Sequence, residues 1–323
     1  MKYTGDILYQ KFSKRTHSNA KPFVKWVGGK GQLLSSIEKE LPEYLLDYSE
    51  VTYIEPFVGG GAMLFWMLEN IRNISNVVIN DINSDLTKAY LTVKTDVNNL
   101  ILLLAEIQED YFSLRTEENR KKYFLDKRER YNTKSLDNIE NTALFIFLNR
   151  TCFNGLYRVN SKGFFNVPFG KYDKPAICDE KTLLADSELL QKVEILTGDF
   201  AQTLRYAKEN SLFYLDPPYK PLSQTSSFNS YAKEDFNDAE QIRLKHFCDE
   251  LNSKGYYWLL SNSDVRSNDP NNNFFDDLYS NYQIDRVWAS RSVNANPEKR
   301  GKLTELLIKN YSKYNIDKAI NYY

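Results

Sequence analysis

The chain has 323 residues, 42% of them apolar and 14% aromatic with 23 tyrosines, and a formal net charge of −1. This suffices for one large α/β domain, or one carrying a sizeable insertion, and argues against a uniformly basic nucleic-acid binder while leaving a basic face open. No apolar run reaches the roughly eighteen residues of a membrane span, and three scattered cysteines with two histidines argue against a zinc site, a disulfide framework or a histidine-based triad, so the cytoplasm is the expected compartment and no metal is expected.

Residues 1–22 lack the apolar core of a signal peptide and read as a flexible polar leader. Phe23-Val24-Lys25-Trp26-Val27-Gly28-Gly29-Lys30-Gly31-Gln32 then sets glycines ahead of a helix. Gly31 rather than Ser or Thr follows Lys30, so the nucleotide-hydrolysing G-x-x-x-x-G-K-[ST] loop is absent. The glycines still leave a backbone pocket that Trp26 and Lys30 can face, although Trp26 fits an ordinary core equally well. Strand VTYIEPF (51–57), helix GAMLFWML (61–68), strand NVVIND (76–81) and helix NSDLTKAYLTV (83–93) follow, the last opened by Asn83 or Ser84 as N-cap.

From Val97 to Arg150 the pattern is helical and charged, and its most basic part, RKKYFLDKRERYNTK (120–134), reads as a solvated helix face. TCFNGLYRVNSKGFFNVPFGKY (151–172) alternates aromatic and polar residues around a Ser161-Lys162-Gly163 turn, as a β-hairpin does. Strand candidates resume with KVEILTG (192–198), SLFYLD (211–216), YYWLLS (256–261) and YQIDRVWA (282–289). The alternation predicts an α/β fold, a mostly parallel sheet with helices on both faces. The expected organisation is a catalytic domain over 23–96 and 191–311, a mainly helical insertion with the hairpin over 97–190, and a tail over 312–323.

Three stretches carry chemistry. In Tyr53-Ile54-Glu55-Pro56-Phe57-Val58-Gly59-Gly60-Gly61 a strand feeds a glycine loop that lets a ligand approach the backbone. Asp81, ending the next strand, can accept hydrogen bonds from ribose hydroxyls. The spacing is not G-x-G-x-x-G and Glu55 would oppose phosphates, so a cationic adenosyl ligand fits better than a dinucleotide. Trp26 and Lys30 form the second stretch. In the third, Phe213-Tyr214-Leu215-Asp216-Pro217-Pro218-Tyr219, a buried strand stops at prolines that cannot donate to a ladder. Asp216 and the Pro217 carbonyl can accept hydrogen bonds from an amino group, and Tyr219 offers a face for a planar base.

These motifs, in the order KWVGGK, EPFVGGG, insertion, DPPY, resemble the α-group DNA adenine-N6 methyltransferases of the Dam type, from about Phe23 to Tyr311. The most specific pieces are Asn154-Gly155-Leu156-Tyr157-Arg158, Phe165-Asn166-Val167-Pro168-Phe169-Gly170-Lys171-Tyr172 and DPPYKPLSQTSSFNSY. The resemblance implies a seven-stranded-type methyltransferase sheet and S-adenosylmethionine as cofactor. It assigns Trp26, Lys30, Asp81 and Asp216 to that cofactor, with Glu55, Phe57, Gly59 and Gly61 beside it and Asp199 and Phe200 near its adenine ring. Asp216, Pro217 and Tyr219 match the catalytic motif. Lys25, Asn154, Leu156, Arg158 and Tyr172 fall on DNA-contacting positions, and the hairpin's relatives act on GATC in double-stranded DNA. A cognate restriction endonuclease encoded elsewhere is compatible with this reading. The alternatives are an adenine methyltransferase with another DNA or RNA target and a non-catalytic nucleic-acid-binding module that kept the fold.

Overall fold

A computed structural model describes residues 19–29, 31, 33–221, 236–289 and 303–312. Lys30, the start of the leader, the SQTSSFNSY continuation of the DPPY stretch and the end of the tail lie outside the described residues.

The strands are β1 (Val51–Glu55), β2 (Ile74–Asp81), β3 (Val193–Thr197), β4 (Ser211–Leu215), β5 (Tyr257–Ser263), β6 (Gln283–Ala289) and β7 (Leu303–Lys309). They form one seven-stranded sheet in the order β3-β2-β1-β4-β5-β7-β6. β1 runs parallel to β2 and β4, and β4 parallel to β5, whereas β7 is antiparallel to both β5 and β6. β1 and β4 are buried at every position, which is why each reads as a near-continuous apolar run. Sequence reading passes over β7, because a short run such as LTELLIK suits a helix as well as a strand.

The helices among the described residues are α1 (Leu34–Glu40), α2 (Ala62–Asn70), α3 (Ser84–Thr95), α4 (Val97–Ser113), α5 (Glu117–Asn132), α6 (Asn138–Thr151), α7 (Glu180–Leu190), α8 (Asp238–Ser253) and α9 (Phe274–Leu278). None is long and apolar enough to cross a membrane. The chain divides into two compact units, one of residues 1–29, 58–72 and 81–198, the other of residues 30–57, 73–80 and 199–323.

In the first unit α6 is the central helix, buried from Asn141 to Asn149 and packed against α3, α4 and α5. Asn83 caps α3, its side chain accepting from the Asp85 and Leu86 N–H groups at 3.0 and 3.1 Å, so the cap is Asn83 rather than Ser84. α5 carries the basic run and buries only Phe124 and Tyr131. Its Arg130 forks onto Glu140 at 2.8 and 2.9 Å. Residues 151–172 double back antiparallel through two isolated bridges, Cys152 to Phe169 and Val159 to Phe165. Pro168, which has no N–H, helps keep these from extending into a ladder. Asn132 of α5 pins the return instead, bonding the Phe165 N–H and carbonyl at 2.8 and 3.0 Å.

The same unit holds a buried acid. Asp186 of α7 accepts the Lys21 N–H at 3.0 Å, and its other oxygen meets no donor among the described residues. Burial pushes its carboxyl up to about 8. Folding therefore retains a proton that the unfolded chain releases near its ordinary value, so stability falls as pH rises between the two and levels off above the higher one. Asp186→Asn keeps an acceptor for Lys21 and removes this penalty. Thermal melts should show the variant gaining about 3 °C or more on the wild type between pH 5 and pH 8; a constant difference would mean that Asp186 is already charged.

In the second unit the strand order reverses at β1, which pairs with β2 on one side and with β4 on the other. In open α/β sheets the crevice beyond the carboxyl ends at such a reversal is where ligands bind.

Candidate active site

Ile54 pairs with Phe213, so Glu55 and the Asp216 that follows β4 reach the same carboxyl edge of neighbouring strands in the second unit. Glu55 is 2% exposed and accepts the Tyr53 hydroxyl at 2.9 Å. Asp216 is half-buried, and the fully buried Ser261 of β5 donates to its Oδ1 at 2.7 Å. Having given its only proton to Asp216, Ser261 accepts from Tyr214 at 3.1 Å. Burial, reinforced by Glu55 for Tyr53 and by Asp216 for Tyr214, holds both phenols well above their ordinary range, so they remain O–H donors.

The turn after Asp216 is fixed by side chains far away in sequence. Gln241 of α8 donates to the Pro218 carbonyl at 3.1 Å and accepts from Asn262 at 3.1 Å. Asn262 accepts the Lys220 N–H at 3.2 Å, and Ser263 donates to the Lys220 carbonyl at 2.6 Å. The Tyr219 hydroxyl donates to Glu305 of β7 at 2.9 Å, which sets the ring's orientation. Pro217 is buried and Pro218 exposed.

An aromatic group lies in the same unit. Phe57 and Phe200 have centroids 5.2 Å apart, and Phe236 meets Phe57 edge-on at 5.7 Å. The Arg243 guanidinium sits 4.1 Å from the Phe200 centroid and pairs with Asp199 at 2.6 and 3.1 Å. That pairing holds the Asp199 carboxyl below its usual range.

In the first unit the glycine loop is moulded around an indole. Gly59 has φ +49°, and a Cβ there would fall 2.9 Å from Cδ1 of Trp26; at Gly60 it would fall 3.1 Å from the Trp26 Cβ. The Gly59 N–H donates to Asp81 Oδ2 at 3.0 Å, and Tyr90 donates to the Gly59 carbonyl at 3.0 Å. Burial raises the Asp81 carboxyl, opposed by N–H donors of Asn83, Gly59 and Ile82. Trp26 is half-buried, so it is both a packing partner of the loop and a partly open wall.

The proposed DNA-contacting residues share this unit. Asn149 accepts the Lys25 N–H and donates to the Lys25 carbonyl, both at 2.8 Å, and donates to the Gly155 carbonyl at 2.9 Å. The Lys25 ammonium stands 5.0 Å from the Tyr172 ring centroid, beside a cavity of about 330 Å³ that Arg150 and Lys174 also line. Asn154 is exposed with φ +56°, a left-handed backbone continued by Gly155. Leu156 is half-buried and Arg158 exposed. Asn166 takes two of the five N–H donors of Arg158, through Oδ1 at 2.7 Å and its carbonyl at 3.1 Å, which holds the guanidinium plane.

A family model for the D12 class N6 adenine-specific DNA methyltransferases matches residues 26–293. The chain belongs to this D12 class. It is 48% identical over 294 residues to the Type II methyltransferase M.MjaIII of Methanocaldococcus jannaschii, spanning 90% of this chain and 99% of that one. The Type II methyltransferase M1.LlaDCHI of Lactococcus lactis is 38% identical over 298 residues, 91% and 96% of the two chains. The DNA adenine methylase of Haemophilus influenzae is 35% identical over 288 residues, 89% and 92%. The protein is thus a site-specific adenine-N6 DNA methyltransferase.

Within this D12 methyltransferase, the second unit brings together Glu55, Asp216, Pro217 and Tyr219, and separately Phe57, Asp199 and Phe200. The first unit brings together Trp26, Gly59, Gly61 and Asp81, and sets Lys25 against Gly155 and the Tyr172 ring. Sequence reasoning missed Ser261, Gln241 and Glu305. The run Ser261-Asn262-Ser263, polar side chains closing an apolar strand, signals Ser261, since such groups are retained inside a protein when they have partners; Gln241 and Glu305 carry no comparable local signal.

Proposed function

We propose that the enzyme transfers a methyl group from S-adenosylmethionine to N6 of an adenine in GATC within double-stranded DNA. The observation that carries this reading is Asp216 at the carboxyl edge of β4 beside the strand reversal, its carboxylate oriented by Ser261 and followed by a proline that leaves its carbonyl out of any ladder. The donor set suits the cofactor: carboxylates Glu55, Asp81 and Asp216 for a cation and a ribose diol, and aromatic faces on Trp26, Phe57 and Phe200 for a purine. When bound, S-adenosylmethionine supplies a methyl group already activated on a sulfonium. Trp26, Lys30 and Asp81 would hold it with Gly59 and Gly61, and Asp199 with Phe200 would border its adenine.

The chain's residues act on the acceptor. Asp216 and the Pro217 carbonyl accept hydrogen bonds from the adenine amino group, localising its lone pair and opposing the positive charge that develops on nitrogen. Ser261 holds the carboxylate in that orientation. Tyr219, its ring fixed by Glu305, stacks on the base, offsetting the few kcal/mol that flipping it from the duplex costs. The proton leaves after transfer, so Asp216 need not be a strong base. Residues 97–190 serve target recognition: Arg158 reads a guanine through the donors Asn166 leaves available, and Lys25, Asn154, Leu156 and Tyr172 contact DNA beside it. A restriction endonuclease encoded elsewhere is a partner this reading allows.

The test is methylation of a plasmid lacking adenine methylation, followed by a GATC-cutting nuclease that N6-methyladenine blocks. Protection is the expected result. Labelled but unprotected DNA would move the recognition sequence elsewhere, and the absence of label on any DNA would overturn the reading.

A further inference from the structure

Tyr157 immediately precedes Arg158 and has no part in the reaction described so far. Its ring stacks on Trp26 with centroids 5.6 Å apart and planes at 27°. Trp26 in turn lies against Gly59 and Gly60, so the indole cannot shift without disturbing that loop. The Tyr157 hydroxyl donates to Asp85 Oδ2 at 2.7 Å. Tyr131, fully buried, donates to the same oxygen at 2.6 Å, and Lys134 stands 3.5 Å from it. Asp85 sits in the first turn of α3, where Asn83 caps its N–H at 3.0 Å, and the Asn83 N–H bonds Asp81 at 2.9 Å. Burial raises the Asp85 carboxyl, but the two phenols and the lysine outweigh it, leaving an anion whose hydrogen bonds are charge-assisted.

One side chain therefore joins three things: the segment that presents Arg158, the indole against the glycine loop, and the helix turn that follows Asp81. An aromatic face and a buried hydroxyl bond hold it at both ends, so displacement of the Arg158 backbone reaches the loop through a single ring. We propose that Tyr157 is a positioning residue that makes engagement of the cofactor depend on engagement of the correct DNA sequence. The proposal rests on the functional reading above, which puts DNA at Arg158 and S-adenosylmethionine at Trp26, Gly59 and Asp81. By linkage the dependence is reciprocal: bound cofactor strengthens target DNA binding by the same factor.

Coupling of this kind needs a measured coupling and not mere adjacency. The probe is S-adenosylhomocysteine, which cannot donate a methyl group, titrated calorimetrically into the enzyme with a duplex carrying its methylation sequence and with one lacking it. The wild type should bind the probe about tenfold more tightly on the target duplex. Tyr157→Phe retains the stacking and loses the Asp85 bond, and should lower that ratio at least about threefold; Asp85→Asn, which weakens the same bond from the other side, should do likewise. Tyr157→Ala should bring the ratio close to one. A merely structural tyrosine would weaken binding on both duplexes alike, and an unchanged ratio in Tyr157→Phe and Asp85→Asn would overturn the proposal. A wild-type ratio of one would overturn it while leaving the functional reading intact. No probe binding by the wild type at all would remove the functional reading and this inference together.

Discussion

Asp216→Ala should lower the single-turnover rate of methyl transfer by about 10³-fold or more, in line with removal of one preorganised group facing developing charge. The carboxylate is half-buried and its structural partner, Ser261, keeps a second partner in Tyr214, so melting should change by no more than about 3 °C. Binding of S-adenosylhomocysteine should weaken less than turnover falls, which separates loss of chemistry from loss of cofactor. Ser261→Ala leaves Asp216 in place without its orienting donor and should have a smaller effect of the same sign. A folded Asp216→Ala enzyme with appreciable turnover would sink the mechanism.

Arg158→Ala should compress discrimination between the target site and sites differing by one base pair. A bidentate guanine contact is worth about 1–3 kcal/mol, so the ratio of kcat/KM values should fall about 5- to 150-fold at the position read. Asn166 already organises the guanidinium, so little ordering cost is left for DNA to meet. If binding to all sequences weakens equally and the salt dependence becomes shallower by about one charge, Arg158 is a phosphate contact.

Much of the sheet was legible because β1 and β4 are buried at every position and thus read as near-continuous apolar runs, one closing on Glu55 and the other followed by Asp216. The Asp216-Pro217-Pro218-Tyr219 turn was legible because prolines must terminate the strand that precedes them. The side chains that fix this turn were not. Ser261, Gln241 and Glu305 act from β5, α8 and β7, and their placement follows from strand pairing and from how α8 packs, which local pattern does not encode. The role of Tyr157 was equally hidden: an aromatic alternating with polar neighbours reads as ordinary hairpin packing until Trp26 and Asp85 are found on either side of it.

β7 is the last of the seven strands in chain order, yet it lies between β5 and β6. Its Glu305 is the residue that orients the Tyr219 ring. During synthesis, the glycine loop, Asp81 and the Asp216 turn all leave the ribosome before the strand that completes their setting. A nascent chain that ends between residues 219 and 305 has all three motifs and still lacks the partner of the Tyr219 ring, which is proposed to stack on the base. Closing that gap requires a late strand to enter between two earlier ones, a non-local pairing of the kind that slows folding. The order of translation thereby delays the final setting of the Tyr219 ring until β7 has emerged.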